Sequence, residues 1–175
     1  TVLYASDWGI VDPWAVLEAK YLDGCLYLRQ LNYLSENEHR ALMSSTEQTA
    51  IRGADEGMVK RLFTQLNIPT TKTIVCDSNR ELKIRALRAY GWDYAVSIGS
   101  LKGDGSILDG INLLNNLNVY YTDDSIDLKY EQENYSRKVV QGAVQEEPED
   151  LDNHLMDAAR YVALYLQAEG IINKV

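Results

Sequence analysis

Short apolar runs alternate with amphipathic stretches along this chain, and that order restricts the possible folds more than any other feature of the sequence. The first run covers residues 1–6, and two further runs, 14–22 and 25–34, are separated by the dipeptide Asp23-Gly24. An Asp-Gly pair between two apolar runs is a strong signal for a tight hairpin. We therefore expect three antiparallel strands at the start of the chain.

The remainder of the chain predicts helices and strands in alternation, because segments with apolar residues every three or four positions are separated by short runs of β-branched or aromatic residues. The expected helices are 54–66, 79–90, 106–116, 126–135 and 152–167, the expected strands are 71–78, 93–98 and 118–122, and a second hairpin is expected over 138–145 with its turn at Gln141 and Gly142. This order predicts an α/β fold in which the first three strands of a mixed sheet are antiparallel, the later strands are parallel, and helices flank the sheet.

The length and charge of the chain limit its function. A chain of 175 residues has the size of one domain, so we expect 1–175 to be a single domain. It begins in a strand pattern without methionine, as a fragment of a longer chain would. No run approaches the roughly 20 apolar residues of a membrane helix, and we expect a cytosolic protein. The net charge of −9 argues against a freestanding nucleic-acid binder, but surplus carboxylates can bind metal cations.

Two of the expected strands end in the same way, with an aspartate directly after an apolar run. These aspartates are Asp7 in "YASD" and Asp77 in "IVCD". If the two strands are parallel neighbours, their backbones lie about 4.8 Å apart and both carboxylates emerge at one edge of the sheet. Two such charges repel unless a cation lies between them, and Mg²⁺ prefers carboxylate oxygen. Taken singly, however, an aspartate after a strand is also common as a turn or cap residue.

A third carboxylate is expected from the closing helix. His154 and Asp157 are three residues apart in "NHLMDAARY" and so share one helical face. Asp157 lies among apolar residues and would need a partner there. His154 near the start of a helix could instead be a surface or capping residue. We expect the face that carries both residues to meet the sheet edge.

Five segments, taken together, resemble the nuclease domain of the large terminase subunit of tailed bacteriophages. They are "DWGIVDPWA", "CDS", "KGDGSILDGINLL", "EQENYS" and "DNHLMDAARY", and they span nearly the whole chain. The resemblance implies a ribonuclease H-like fold and an endonuclease that cuts concatemeric double-stranded viral DNA during packaging. It also implies a two-metal site for Mg²⁺ or Mn²⁺, with Asp7, Asp77 and Asp157 as metal ligands and His154 as their catalytic neighbour.

The same resemblance implies the setting of the protein. The portal protein, the small terminase subunit and other copies of the large subunit are the expected partners, at the procapsid portal in the cytoplasm of the bacterial host. A packaging ATPase normally accompanies this nuclease, but the chain has no G-x-x-x-x-G-K-[ST] phosphate loop. We therefore expect a fragment that lacks the motor. Lys102, in the glycine-containing loop "KGDGS", and Arg137 and Lys138, at the second hairpin, are candidate DNA contacts.

Two other functions are also compatible with the sequence. One is a non-catalytic docking module of the packaging motor, which would use its acidic surface to hold other components. The other is an actin-like or sugar-kinase phosphotransferase, because "DWG" before a hairpin also suits the phosphate-facing first strand of such enzymes. A phosphotransferase of this class needs a second lobe of similar size, for which 175 residues are too few.

Overall fold

A six-stranded mixed sheet forms the centre of the protein. The computed structural model describes residues 1–51, 55–100, 106–135, 137–140, 143–148 and 153–173, with the backbone alone for 55–56, 100, 106, 137–140 and 143–148. The strand order in the sheet is β5-β4-β1-β2-β3-β6. The strands are β1 (Val2–Asp7), β2 (Ala15–Leu22), β3 (Cys25–Asn32), β4 (Ile74–Cys76), β5 (Ala95–Ser97) and β6 (Asn118–Tyr121).

The strand directions agree with the order expected from the sequence. β1, β2 and β3 are antiparallel neighbours, whereas β4 runs parallel to β1 and β5 runs parallel to β4. β6 joins the opposite edge, parallel to β3. The turn between β2 and β3 has positive φ at both Asp23 (50°) and Gly24 (80°), as a two-residue hairpin of the favoured twist requires. The predicted mixed sheet and its first hairpin are confirmed.

Helices cover both faces of the sheet. They are α1 (Glu36–Ala41), α2 (Ser45–Ala50), α3 (Asp55–Gln65), α4 (Glu81–Ala89), α5 (Ser106–Asn115), α6 (Ile126–Asn134) and α7 (His154–Ala168), with a 3₁₀ turn at Ile98–Ser100. The five helices expected from apolar periodicity are α3 to α7, and each is confirmed to within about two residues at its ends. No helix in the described part of the chain has the length and apolar character needed to cross a membrane.

The alternation of side chains along β1 divides the core into two layers. Leu3 and Ala5 point to one face and pack in a cluster with residues of α7 such as Val162, whereas Tyr4 points to the other face and packs with residues of α3 and α4 such as Phe63. Leu3, Ala5, Val162 and Phe63 have no exposed surface. Burial of each large apolar side chain contributes about 1.5–3 kcal/mol. The two layers together fix β1 in the middle of the molecule.

Two short helices, α1 and α2, were not expected from the sequence. Each has six residues, and the only buried residue in either is Glu36, so neither carries an apolar stripe. Both begin with a capping box, in which a serine and the glutamate three residues later exchange hydrogen bonds with each other's backbone amides. The pairs are Ser35 with Glu38 and Ser44 with Glu47. This local signal, rather than hydrophobic periodicity, was the one that could have identified them.

The second hairpin forms a separate two-stranded sheet. Its strands are β7 (Arg137–Val140) and β8 (Ala143–Pro148), paired antiparallel. The prediction of a hairpin here is confirmed. The expected turn residues, Gln141 and Gly142, lie outside the described residues.

Candidate active site

The first two aspartates predicted as site residues lie at the ends of neighbouring parallel strands. β1 ends at Asp7, and Asp77 directly follows β4. Ser6 and Cys76 are paired in register, and the backbone amide of Asp77 donates a hydrogen bond to the carbonyl of Ser6 at 3.1 Å. Asp77 is only 9% exposed. The parallel ladder therefore delivers both residues to the carboxyl edge of the sheet, where ligands bind in open α/β sheets.

The carboxylate of Asp7 is held by two side chains from α7. His154 Nδ1 lies 3.0 Å from Asp7 Oδ2, and the Tyr161 hydroxyl donates to Asp7 Oδ1 at 3.3 Å. The hydrogen bond to Asp7 raises the pKa of His154 above its usual value, while burial of the ring acts in the opposite direction. The first helical turns of α7 therefore face the end of β1, as expected.

Asp157 lies on the same helix and pairs with Arg160. Arg160 Nη2 and Nε donate to Asp157 Oδ1 at 2.5 and 3.2 Å. Arg160 is 3% exposed, and its side chain packs against Gly110 of α5, where an added Cβ would lie 3.1 Å from Arg160 Cβ. Burial raises the pKa of Asp157, Arg160 lowers it, and the charge of Asp7 raises it further. Asp157 lies between His154 and Tyr161 on α7, and both of these residues contact Asp7.

The electrostatics of Tyr161 show that all three aspartates act on one place. Burial is the largest cause of its raised pKa, and the charges of Asp7, Asp157 and Asp77 raise the pKa further, in that order. Each carboxylate opposes the formation of a phenolate at this position. The strand ends and α7 thus bring three carboxylates to act on the buried Tyr161.

The donor atoms of this site suit a hard divalent cation, but the side chains are not arranged around one. Carboxylate oxygens are the ligands that Mg²⁺ prefers, and three such groups with a buried negative potential favour a cation. Among the residues that the structure describes, however, no group of three His, Cys, Asp or Glu side chains is close enough to hold a metal ion. Instead His154 and Arg160 place positive or proton-donating groups against Asp7 and Asp157. The site fits a metal by its chemistry, and binding requires these side chains to rearrange.

The turn that follows Asp7 is built on close packing. A Cβ added at Gly9 would lie 1.9 Å from the carbonyl oxygen of Asp12, so only glycine fits there. The amide of Glu36 donates to the carbonyl of Gly9 at 3.1 Å and ties the start of α1 to this turn. Trp8 packs on Trp14 with ring centroids 4.9 Å apart. Asp7 therefore stands at the start of a constrained turn.

A buried ion pair lies beneath this turn and joins it to the helix that follows Asp77. Lys83 of α4 contacts Glu36 of α1, and the two side chains are 2% and 3% exposed. Lys83 Nζ also lies 4.9 Å from the ring centroid of Trp14, in cation–π geometry. Glu36 additionally accepts two hydrogen bonds from Arg40. Burial raises the pKa of Glu36, but the two cations lower it to below its usual value.

The predicted DNA contacts stay a prediction. Arg137 and Lys138 belong to β7, in the separate hairpin, and Lys102 lies outside the described residues. Sequence reasoning missed two residues of the site, which are Tyr161 and Arg160. They lie four and three positions after Asp157, a spacing that places residues on one helical face, so the sequence did carry a signal for them.

Comparison with known proteins identifies the fold. No family model matches the sequence, and no curated protein matches it either. Among solved structures, the chain is similar to the nuclease domain of g2p, the large terminase of bacteriophage SPP1, solved with bound Mn: the TM-score is 0.66, the identity is 23%, and the match covers 92% of this chain and 84% of that one. The resemblance to terminase nuclease domains expected from the sequence is confirmed for the fold, which is ribonuclease H-like.

A second similar structure is the large terminase of a thermophilic bacteriophage. The TM-score is 0.67 at 19% identity, and the match covers 95% of this chain but 40% of that one. The chain therefore spans about two fifths of the length of that protein.

Proposed function

We propose that this chain is a metal-dependent endonuclease that cuts concatemeric double-stranded DNA during the packaging of a phage genome. The observation that supports the proposal is that β1 and β4 end side by side at Asp7 and Asp77, and that α7, which carries His154 and Asp157, contacts Asp7. The chain shares its fold with the Mn-bound SPP1 nuclease domain, and this similarity supports the proposed nuclease function. Its proposed partners are those of a packaging motor, namely the portal, the small terminase subunit and further large-subunit copies, in the host cytoplasm.

The proposed metal ligands are Asp7, Asp77 and Asp157, which would hold Mg²⁺ or Mn²⁺, with two ions as the working hypothesis. Bound divalent ions of this kind activate a water and stabilise the leaving oxygen of a phosphodiester. The chain itself supplies the negative potential that attracts the cations. Tyr161 and His154 orient the carboxylate of Asp7, and Arg160 balances the charge of Asp157 in a buried setting.

The side chains that contact the aspartates also restrict how these carboxylates can bind a metal. Because the carboxylate of Asp157 is paired with Arg160, it must turn from Arg160 to reach a metal held by Asp7 and Asp77. The hydrogen bond to Asp7 raises the pKa of His154, and its imidazole is therefore suited to hold a proton close to Asp7 and to donate it to a departing oxygen. Arg137 and Lys138 are the proposed DNA contacts on the second hairpin, together with Lys102.

The direct test is cleavage of plasmid DNA in the presence of Mn²⁺ by the wild type and by the Asp77→Asn variant. The substitution keeps the size of the side chain and removes a proposed ligand charge, so we expect cutting to fall by about 100-fold or more, as is common for groups that act as one unit. Asp93→Asn is the matched control, because Asp93 is an exposed aspartate in the loop before β5. Undiminished cutting by Asp77→Asn would refute the proposal.

A further inference from the structure

Glu131 is a completely buried carboxylate that the proposed chemistry does not use. It lies in α6 with 0% exposure, and each of its oxygens accepts one hydrogen bond. The Tyr33 hydroxyl donates to Oε1 at 2.7 Å, and the backbone amide of Met156 donates to Oε2 at 2.9 Å. In the described part of the chain, no lysine or arginine forms an ion pair with Glu131. The carboxylate therefore depends mainly on hydrogen bonds from neutral donors, with His154 as the charged group that favours its ionised form.

These two hydrogen bonds join three parts of the chain that are far apart in sequence. Tyr33 follows β3, Glu131 belongs to α6, and Met156 lies in the first turn of α7. The leading amides of a helix have no acceptor within the helix itself, so a partner must come from elsewhere. Glu131 provides that acceptor for the Met156 amide from a neighbouring helix. It thus does the work of an N-cap residue, whose side chain accepts a hydrogen bond from an amide in the first turn of its own helix.

The hydrogen bond from the Met156 amide to Glu131 matters because α7 begins at the candidate active site. His154 and Asp157 flank Met156, two positions before it and one position after it, and His154 Nδ1 lies 3.0 Å from Asp7. A rotation or shift of the first turn of α7 would therefore move both side chains relative to Asp7. Burial of Glu131 is costly and raises its pKa to about 7, against the effect of its hydrogen bonds. A buried carboxylate retained at such a cost suggests a positional requirement.

We propose that Glu131 is a positioning residue that, with Tyr33, holds the first turn of α7 so that His154 and Asp157 face Asp7. This inference rests on the proposed nuclease function for its effect on activity, but the position of the helix can be measured without activity. Displacement of reacting groups by about 1 Å can reduce a rate by about 100-fold.

The test compares two substitutions of the same residue. Glu131→Ala removes both acceptors, so we expect kcat for plasmid cleavage to fall by about 10- to 100-fold and the half-saturating Mn²⁺ concentration to rise. Glu131→Gln retains one acceptor for Met156 and an amide that can donate to the Tyr33 oxygen, so it should keep most of the wild-type kcat. Tyr33→Phe, which removes one of the two links, should give an intermediate loss.

A stability control separates positioning from general weakening of the fold. Leu87→Ala opens a cavity in the other core layer, where Leu87 is fully buried, and it should lower stability without changing kcat at a temperature where the protein stays folded. An equal loss of kcat in Leu87→Ala and Glu131→Ala would overturn the proposal. Wild-type kcat and Mn²⁺ dependence in a folded Glu131→Ala would overturn it as well, and would leave the nuclease proposal intact.

A second measurement decides the matter if the wild type proves not to cut DNA. The amide proton of Met156, bonded to a carboxylate, should resonate downfield and exchange slowly with solvent in the wild type. Glu131→Ala should shift this resonance upfield and speed its exchange, whereas Glu131→Gln should change it little. A Met156 amide that is the same in the wild type and in Glu131→Ala would overturn the positioning role, whatever the activity of the chain.

Discussion

His154 Nδ1 lies 3.0 Å from Asp7 Oδ2, although 147 positions separate the two residues in the sequence. The contact joins the end of the first strand to the start of the last helix. Because the Tyr161 hydroxyl also reaches Asp7, the orientation of this carboxylate is set by α7. The site is therefore complete only when the closing helix has docked on the sheet.

Substitution of His154 tests whether this contact serves activity. His154→Ala removes the imidazole that orients Asp7, so we expect plasmid cutting with Mn²⁺ to fall by about 10- to 100-fold while the protein stays folded. The other histidine provides the control: His39 Nε2 lies 2.9 Å from Asn32 Oδ1 and does not contact Asp7. Equal rates for His154→Ala and His39→Ala would show that the contact has no catalytic consequence.

The buried pair of Glu36 and Lys83 should dominate local stability. Lys83→Met leaves Glu36 buried with Arg40 as its remaining cation, so we expect the free energy of unfolding to fall by about 3 kcal/mol. The double variant Glu36→Gln/Lys83→Met should lose less than Lys83→Met alone, because no buried charge is left without its partner. Urea denaturation measures both values.

An exposed ion pair on the same helix is the control for this prediction. Arg85 and Glu81 lie 3.5 Å apart with side chains that are 70% and 53% exposed. Glu81→Gln should therefore change stability by less than about 0.5 kcal/mol. A loss as large as that of Lys83→Met would mean that charge on α4, rather than burial of the pair, determines the effect.

Glu131 should make the protein less stable as the pH rises through neutrality. Its pKa is about 7 in the folded chain and 4.5 ordinarily, so the folded state holds the proton more tightly. The resulting stabilisation is complete below about pH 4.5 and is lost as the pH rises through about 7, with a span on the order of 3 kcal/mol. Urea denaturation at pH 5 and pH 8 should show a smaller difference in Glu131→Gln than in the wild type, and an identical difference would contradict the assignment.

Gly9 should tolerate no side chain. A Cβ at this position would lie 1.9 Å from the Asp12 carbonyl oxygen and 2.3 Å from that of Pro13, so Gly9→Ala must open the turn after Asp7. We expect a loss of at least about 2 kcal/mol in stability together with loss of DNA cutting. Gly170→Ala is the comparison, because Gly170 has φ of 69° in open space and should cost only about 1 kcal/mol with no change in activity.

Much of the fold was predictable because hydrophobic periodicity determines it. The Asp23-Gly24 turn and the apolar stripe of α7 were both visible in the sequence, and both are present in the structure. α1 and α2 were missed because they are stabilised by capping boxes and by one buried ion pair. These interactions produce no periodic pattern of apolar residues in the sequence. The partner of Glu36 in that pair is Lys83, 47 positions away.

The placement of the two strand-end aspartates was predictable from the sequence. Aspartates at the ends of two apolar runs indicated Asp7 and Asp77, and the strand register places them side by side. Glu131 could not be identified in this way, because a glutamate in a polar helix gives no sign that it will be buried. Its hydroxyl partner Tyr33 lies 98 positions away, and such non-local pairing becomes visible only in the folded chain.

The central claim is that Asp7, Asp77 and Asp157 together bind a divalent metal, and crystals of the chain grown with Mn²⁺ test it most directly. Anomalous diffraction at the manganese absorption edge should show at least one ion coordinated by carboxylates of both strand ends, with Asp157 turned from Arg160 toward the ion. An anomalous map with no peak at these carboxylates, at a Mn²⁺ concentration that supports cutting, would contradict the account.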